Sequence, residues 1–62
     1  MDPRELILAL CREAGDVMDD EEEVIMGFEA NHPEDTIAAA AGGDPVALIR
    51  LRTACGLPLF QT

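Results

Sequence analysis

The chain has 62 residues, 48% of them apolar, and its thirteen aspartates and glutamates outnumber its four arginines, giving a formal net charge of −9. This length allows one domain with one small core, and the apolar fraction is too high for a disordered acidic tail. The charge disfavours direct binding to nucleic acids or to anionic membranes. No apolar run approaches the roughly 20 residues that span a bilayer, and the N-terminus lacks the features of a signal peptide. We therefore expect a single folded domain over residues 1–62, located in the cytoplasm.

Proline and glycine divide the sequence in the way that is typical of α-helices. Three segments begin at a proline and end at a glycine: Pro3 to Gly15, Pro33 to Gly42 and Pro45 to Gly56. Proline suits the first helical position because the N–H there has no helical partner, and glycine reaches the left-handed conformation that ends a helix. The sequence predicts an all-α fold, a compact bundle of three to four short helices with an apolar C-terminal tail packed on it.

The first helix is predicted from about Pro3 to Ala14. Asp2 can cap its N-terminus, with Glu5 three residues later as the second member of a capping box. Apolar residues at helical spacing predict a buried face. That face consists of Leu6, Ile7, Leu10 and Ala14, with Cys11 beside them.

The second segment, Asp16 to Asn31, holds seven of the thirteen acids. A helix capped near Asp16 or Asp19 would have a buried face that consists of Val17, Glu21, Val24, Ile25 and Phe28. Its outer face would then carry Asp19, Glu22, Glu23, Met26 and Glu29. Gly27 weakens this helix by about 1 kcal/mol relative to alanine, and a short strand over residues 23–28 is the alternative. We favour the helix because a lone strand would have no partner.

Two shorter helices are predicted next, at about Pro33 to Ala41 and Pro45 to Cys55. The first offers Ile37 and a run of four alanines, whose small side chains let a neighbouring helix approach closely. The second offers for burial Val46, Leu48, Ile49, Leu51 and Cys55. The apolar tail over residues 57–60 cannot be helical through Pro58, and we expect it to fold back as a lid on the core.

Few residues are available for catalysis. The chain has one histidine and no lysine, tyrosine or serine. Cys11 or Cys55 with His32 is the one conceivable pair of nucleophile and base, but His32 directly precedes Pro33, which favours a surface or N-cap role. Both cysteines are expected to be small, reduced core residues, and a disulfide between them is the alternative. We therefore do not expect an enzyme.

Metal and DNA sites are not predicted either. Two cysteines and one histidine lack the close paired spacing of zinc sites. An EF-hand loop needs glycine at its sixth position and glutamate at its twelfth, and counting from Asp16 or from Asp19 supplies neither. The last two helices look like a helix-turn-helix, but the second carries Arg50 and Arg52 without Lys, Asn or Gln to read bases. We expect an ordinary helical hairpin there, and no cofactor.

The acidic residues lead to the functional prediction. A fully helical segment from Asp16 to Glu29 would place seven carboxylates along about 21 Å, or about one carboxylate per 3 Å. This spacing is close to the spacing of about 3.4 Å between phosphates of a DNA strand. Carboxylates placed in this way can pair with arginines of a basic groove and steer association. The residues predicted to bind the partner are Asp16, Asp19, Asp20, Glu22, Glu23 and Glu29.

In size, charge and helical pattern the chain resembles the small acidic inhibitors encoded by phages and mobile elements, among them DNA mimics and anti-CRISPR proteins. The resemblance implies a non-enzymatic, cytoplasmic protein. We predict a monomer whose acidic face occupies a basic, nucleic-acid-binding surface of a target protein. The alternative is a small helical adaptor, antitoxin-like or dimerisation module that binds through apolar helix faces and the tail. Leu59 and Phe60 would then be its anchors.

Overall fold

Four α-helices form the part of the chain that the computed structural model describes, which is residues 1–16 and 19–58. They are α1 (Pro3–Glu13), α2 (Glu21–Asn31), α3 (Glu34–Ala41) and α4 (Pro45–Ala54). No strand occurs in these two ranges, so the predicted all-α bundle is confirmed and the alternative of a strand over residues 23–28 is wrong. None of the helices in these ranges combines the length and the apolar composition of a membrane-spanning segment.

Aspartate side chains cap the N-termini of three of the helices. Asp2 and Asp44 each accept a hydrogen bond from the backbone N–H two residues later, at 2.8 Å and 2.9 Å. Asp20 caps α2 and accepts a hydrogen bond from the Glu23 N–H at 3.3 Å. Each bond satisfies an N–H that has no partner inside its helix. Three of the thirteen carboxylates therefore have a role in the fold itself.

A tight connection joins α3 to α4 into a helical hairpin. Gly43 has a φ of 105°, in the left-handed region that favours glycine. Its N–H bonds the carbonyl of Ala40 at 3.1 Å, and the N–H of Asp44 bonds the carbonyl of Ala39 at 3.0 Å. These are the two bonds of a Schellman motif. Because Asp44 also caps α4, one residue closes the first helix and opens the second.

The core is built from all four helices, and the described residues bury no polar or charged side chain. Its buried members are Leu6, Ile7, Leu10, Cys11, Ile25, Phe28, Ile37, Ala40, Ala41, Ala47 and Leu51. Ile7 and Leu51 are the most deeply buried, each 1% exposed. The predicted inner faces of α1 and α2 are largely confirmed, but two residues assigned to them, Ala14 and Glu21, are exposed.

The buried face of α4 is narrower than predicted. Ala47 and Leu51 are buried, and Leu48 is half-buried beside them. Val46 is 55% exposed and Ile49 is 46% exposed, so their predicted burial is wrong. With 3.6 residues per turn, both lie on the side of the helix opposite Leu51. The apolar run of α4 therefore supplies one face to the core and leaves a second face outside.

The second predicted segment is helical only in its later part. α2 begins at Glu21 after its cap at Asp20, which is next to Asp19 and four positions beyond Asp16. Asp16 instead completes the end of α1, where its N–H bonds the carbonyl of Cys11 at 3.0 Å. The predicted array of seven carboxylates along one helix is therefore wrong. α2 carries four glutamates, and its 11 residues are about 16 Å long.

The start of the C-terminal tail is held against the bundle. Leu57 is half-buried and packs against the core. The carbonyl of Pro58 accepts hydrogen bonds from Nε and Nη2 of Arg52 at 3.1 Å and 2.7 Å. Leu59 and Phe60, the predicted apolar anchors, lie outside the described residues, as does Val17. The predicted packing of the tail is thus seen at Leu57.

Candidate functional site

The charged side chains lie at the surface, and the charge is uneven along the chain. All thirteen acids are exposed. Residues 1–32 hold ten acids and two arginines, a net charge of 2 − 10 = −8, whereas residues 33–62 hold three acids and two arginines, a net charge of 2 − 3 = −1. The first two helices and their connection therefore carry almost all of the negative excess.

The densest acidic region is the N-terminus of α2. Five consecutive acids, which we call the acidic turn, occupy residues 19–23, and the last three form the first turn of the helix. The first turn has unpaired N–H groups and the positive end of the helix dipole, which stabilise a carboxylate by about 0.3–1 kcal/mol. This stabilisation offsets part of the repulsion between neighbouring acids. The acidic turn is thus compatible with a folded helix end.

Two carboxylates, one in α1 and one in the acidic turn, are bound to arginines of the protein. Glu13 accepts two hydrogen bonds from the Arg52 guanidinium, both at 2.8 Å. The hydrogen bond from Arg52 lowers the pKa of Glu13, and the same contact raises the pKa of Arg52. Glu22, within the acidic turn, pairs with Arg4 of α1, which raises the pKa of Arg4. These two carboxylates are therefore partly neutralised inside the protein.

Two of the six residues predicted to bind a partner thus have structural roles. Asp20 is the N-cap of α2, and Glu22 ties α2 to α1 through Arg4. Substituting either residue would change a contact of the fold as well as the surface charge. Substitution of either residue therefore does not test partner binding separately from the stability of the fold.

The structure does not bring the other four predicted residues together on one helix face. Asp19 precedes α2, and Glu29 lies in its last turn. Asp16 and Glu23 line the same groove, although they belong to different elements. Glu21, which the sequence pattern placed on the inner face, is exposed and belongs to the acidic turn. The structure therefore adds Glu21 to the candidate residues.

An open groove of about 580 Å³, which we call the α2 groove, lies where the C-terminal ends of α1 and α4 meet α2. Phe28 and His32 are stacked in its wall, with ring centroids 4.0 Å apart and planes inclined by 25°. His32 follows the last residue of α2 as its C-cap and is half-buried. The residues that line the groove are Cys11, Ala14, Asp16, Glu23, Val24, Gly27, Phe28, Asn31, His32 and Cys55.

Both cysteines that line the α2 groove are free thiols. Burial and the neighbouring Asp16 carboxylate raise the pKa of Cys11, and the same two causes raise the pKa of Cys55. A thiol with a raised pKa is protonated at neutral pH, and the thiolate is the reactive form. The structure does bring both cysteines and His32 to one groove, but the raised thiol pKa values disfavour a nucleophilic role.

The α2 groove could not be found from the sequence, because its walls come from distant positions. Cys11 and Cys55 are 44 positions apart, and the end of α1 meets α2 through packing of the core. One local signal was present. Phe28 and His32 are four positions apart, the spacing of neighbours on one helix face. That signal predicts a ring contact, but it does not predict what lies opposite.

Comparison of the chain with protein-family models, with curated proteins and with solved structures finds no match. Among residues 1–16 and 19–58, no three His, Cys, Asp or Glu side chains are placed to share a metal ion. The surface of the molecule therefore carries the argument for function: an acidic turn lies next to a groove that is lined by carboxylates, thiols, aromatic rings and aliphatic side chains.

Proposed function

We propose that this protein is a non-enzymatic inhibitor that binds a basic, nucleic-acid-binding surface of a target protein through the acidic turn and its neighbours. The observation that supports the proposal is the charge distribution, with a net charge of −8 in residues 1–32. Such a surface attracts lysine and arginine and is repelled by phosphate. The small acidic inhibitors that the chain resembles, DNA mimics and anti-CRISPR proteins, act on surfaces of this kind.

The acidic turn is suited to this contact because its last three residues belong to the packed helix α2. Ile25 and Phe28 anchor α2 in the core, one turn beyond the acids. Glu21 and Glu23 are exposed and take no part in the two ion pairs of the described residues. Little backbone freedom would be lost on binding, and hydrogen bonds between carboxylates and arginines are among the strong ones.

A pull-down at two salt concentrations tests the proposal. The immobilised protein is incubated with cell lysate at about 0.1 M and about 1 M salt, where the Debye length is about 10 Å and about 3 Å. We expect nucleic-acid-binding proteins to be captured at low salt, and to be released both by high salt and by added duplex DNA. Capture that resists both treatments would contradict the proposal.

Two matched variants localise the contact. Glu21→Gln with Glu23→Gln and Glu34→Gln with Asp35→Asn each change the net charge from −9 to −7, and each removes two exposed acids from the first turn of a helix. If the acidic turn binds the partner, the first variant loses much more captured protein than the second. Equal losses would show that only bulk charge matters, and the proposed surface would be wrong.

The exposed face of α4 favours a second candidate function, an adaptor or dimerisation module that binds through apolar contacts. Val46 and Ile49 are about half exposed on the side of α4 that faces away from the core. The variant Val46→Thr with Ile49→Thr keeps the net charge and removes this apolar face. Capture that resists high salt and is lost in this variant would support the adaptor function against the inhibitor function.

A further inference from the structure

The α2 groove differs from the rest of the acidic surface in the way its carboxylates are placed. Asp16, beyond the end of α1, and Glu23, in the first turn of α2, both line it. No arginine is among the described lining residues, and Arg4 and Arg52 are bound to glutamates elsewhere. Two carboxylates therefore share a concave site that has no arginine among its described lining residues.

The stacked rings of Phe28 and His32 give the same groove an aromatic wall. A planar guanidinium stacks on aromatic faces and also forms paired hydrogen bonds with carboxylates, whereas the ammonium of lysine is a compact, strongly hydrated charge. Burial keeps the two thiols protonated, so Asp16 and Glu23 are the anionic groups of the groove. The rest of its lining includes Ala14 and Val24, against which an aliphatic stem can pack.

We infer that the α2 groove is the subsite for an arginine side chain of the basic partner, with the guanidinium bound by Asp16 and Glu23 and stacked on the half-buried His32 ring, whose other face packs on the buried ring of Phe28. The inference rests on the proposed function, because it names one contact of the same acidic surface. The groove is larger than one arginine side chain, so the guanidinium shares it with water or with a neighbouring residue of the partner.

A titration followed by NMR tests the subsite directly, without a partner protein. Three blocked amino acids serve as probes, N-acetyl-arginine methylamide and its lysine and citrulline counterparts. We expect the arginine probe to give saturable amide shifts at Gly27, Phe28, Asn31 and His32. The lysine probe should bind about two- to five-fold more weakly, and neutral citrulline should cause no saturable shift. Shifts spread evenly over all acidic residues would overturn the inference.

Two substitutions fill the groove without changing the charge. Gly27 is exposed and helical, and a Cβ built on it meets no atom of the described residues within 4 Å beyond its own helix backbone. Ala14 is exposed on the opposite wall. Gly27→Leu and Ala14→Leu should each weaken the arginine probe at least about five-fold, and Ala30→Leu, on α2 but outside the groove, should leave it unchanged. If both filling variants bind the probe as the natural protein does, the inference is wrong.

The results separate this inference from the proposed function. If the protein captures basic proteins in the expected salt-dependent way but the arginine probe gives no saturable shift, the subsite is refuted and the inhibitor function stands. If the probe binds in the groove but no basic protein is captured, the inhibitor function is refuted; the groove then binds arginine, but its assignment to a basic partner is refuted as well. Circular dichroism of each leucine variant confirms that the helices are intact before its binding is compared.

Discussion

Gly27 offers a sharp test of how α2 is stabilised. It lies in the interior of the helix without a positive φ, and a methyl group there meets no atom of the described residues within 4 Å apart from its own helix backbone. Glycine in such a position costs about 1 kcal/mol relative to alanine, because it loses more backbone freedom on folding. Gly27→Ala should therefore raise the free energy of unfolding by about 1 kcal/mol.

The expected change in melting temperature follows from the size of the chain. The unfolding entropy is about 2.1 cal/mol/K per residue, which for 62 residues gives about 0.13 kcal/mol/K. A gain of about 1 kcal/mol then raises Tm by about 8 °C. Thermal unfolding followed by far-ultraviolet circular dichroism measures this, and urea unfolding measures the free energy independently.

Gly43→Ala is the matched control. Gly43 is also exposed, and a methyl group there also meets no described atom within 4 Å, but its φ is 105°. Alanine is strained in that conformation, so the same substitution should lower the free energy of unfolding by about 1 kcal/mol or more. A Gly27→Ala variant that is no more stable than the natural protein, or a change in stability of both variants in the same direction, would contradict the assigned conformations of the two glycines.

Three further predictions concern the core, the outer face of α4 and the surface charges. Leu51→Ala should lower the free energy of unfolding by about 2–5 kcal/mol, because Leu51 is 1% exposed. A core of this size supplies only about 3–5 kcal/mol, so urea unfolding should show a large unfolded fraction of this variant in water. Val46→Thr should change stability by less than about 0.5 kcal/mol, because Val46 is 55% exposed, and a large loss would contradict the assigned orientation of α4. The pKa of Glu13 is lowered in the folded state by Arg52. Their ion pair therefore stabilises the folded protein at pH values above the ordinary glutamate pKa, and this stabilisation is lost as the pH falls through the lowered pKa. Glu13→Gln should therefore make stability less dependent on pH below about 4.5, and an unchanged pH profile would contradict the pairing.

The helices could be predicted from the sequence because their ends are decided by near neighbours. Asp2 caps the helix that it was expected to cap, and the predicted ends of α1 and α4 lie within one residue of those observed. The cap of α2 was left open between the neighbourhoods of Asp16 and Asp19 for a related reason, and Asp20 is the cap observed. Asp16, Asp19 and Asp20 are all suitable caps, and local chemistry alone does not choose between them.

Burial was predicted less well, since it depends on what each helix packs against. The pattern of α4 offered Val46, Ile49 and Leu51 equally, and contact with α3 placed only Leu51 inside. The same dependence applies to the acids. Glu22 and Glu23 are neighbours in the sequence, but Arg4 of α1 forms an ion pair with Glu22.

Composition and short spacings were enough to predict a small all-α domain with a strongly negative first half, because helix caps, helix ends and net charge depend on them. Packing of the helices settles which carboxylates are neutralised by arginines, which face of α4 stays outside, and that Asp16 and Glu23 line one groove beside Phe28 and His32. Those outcomes need side chains that are distant in the chain to become neighbours, and packing of the core brings them together.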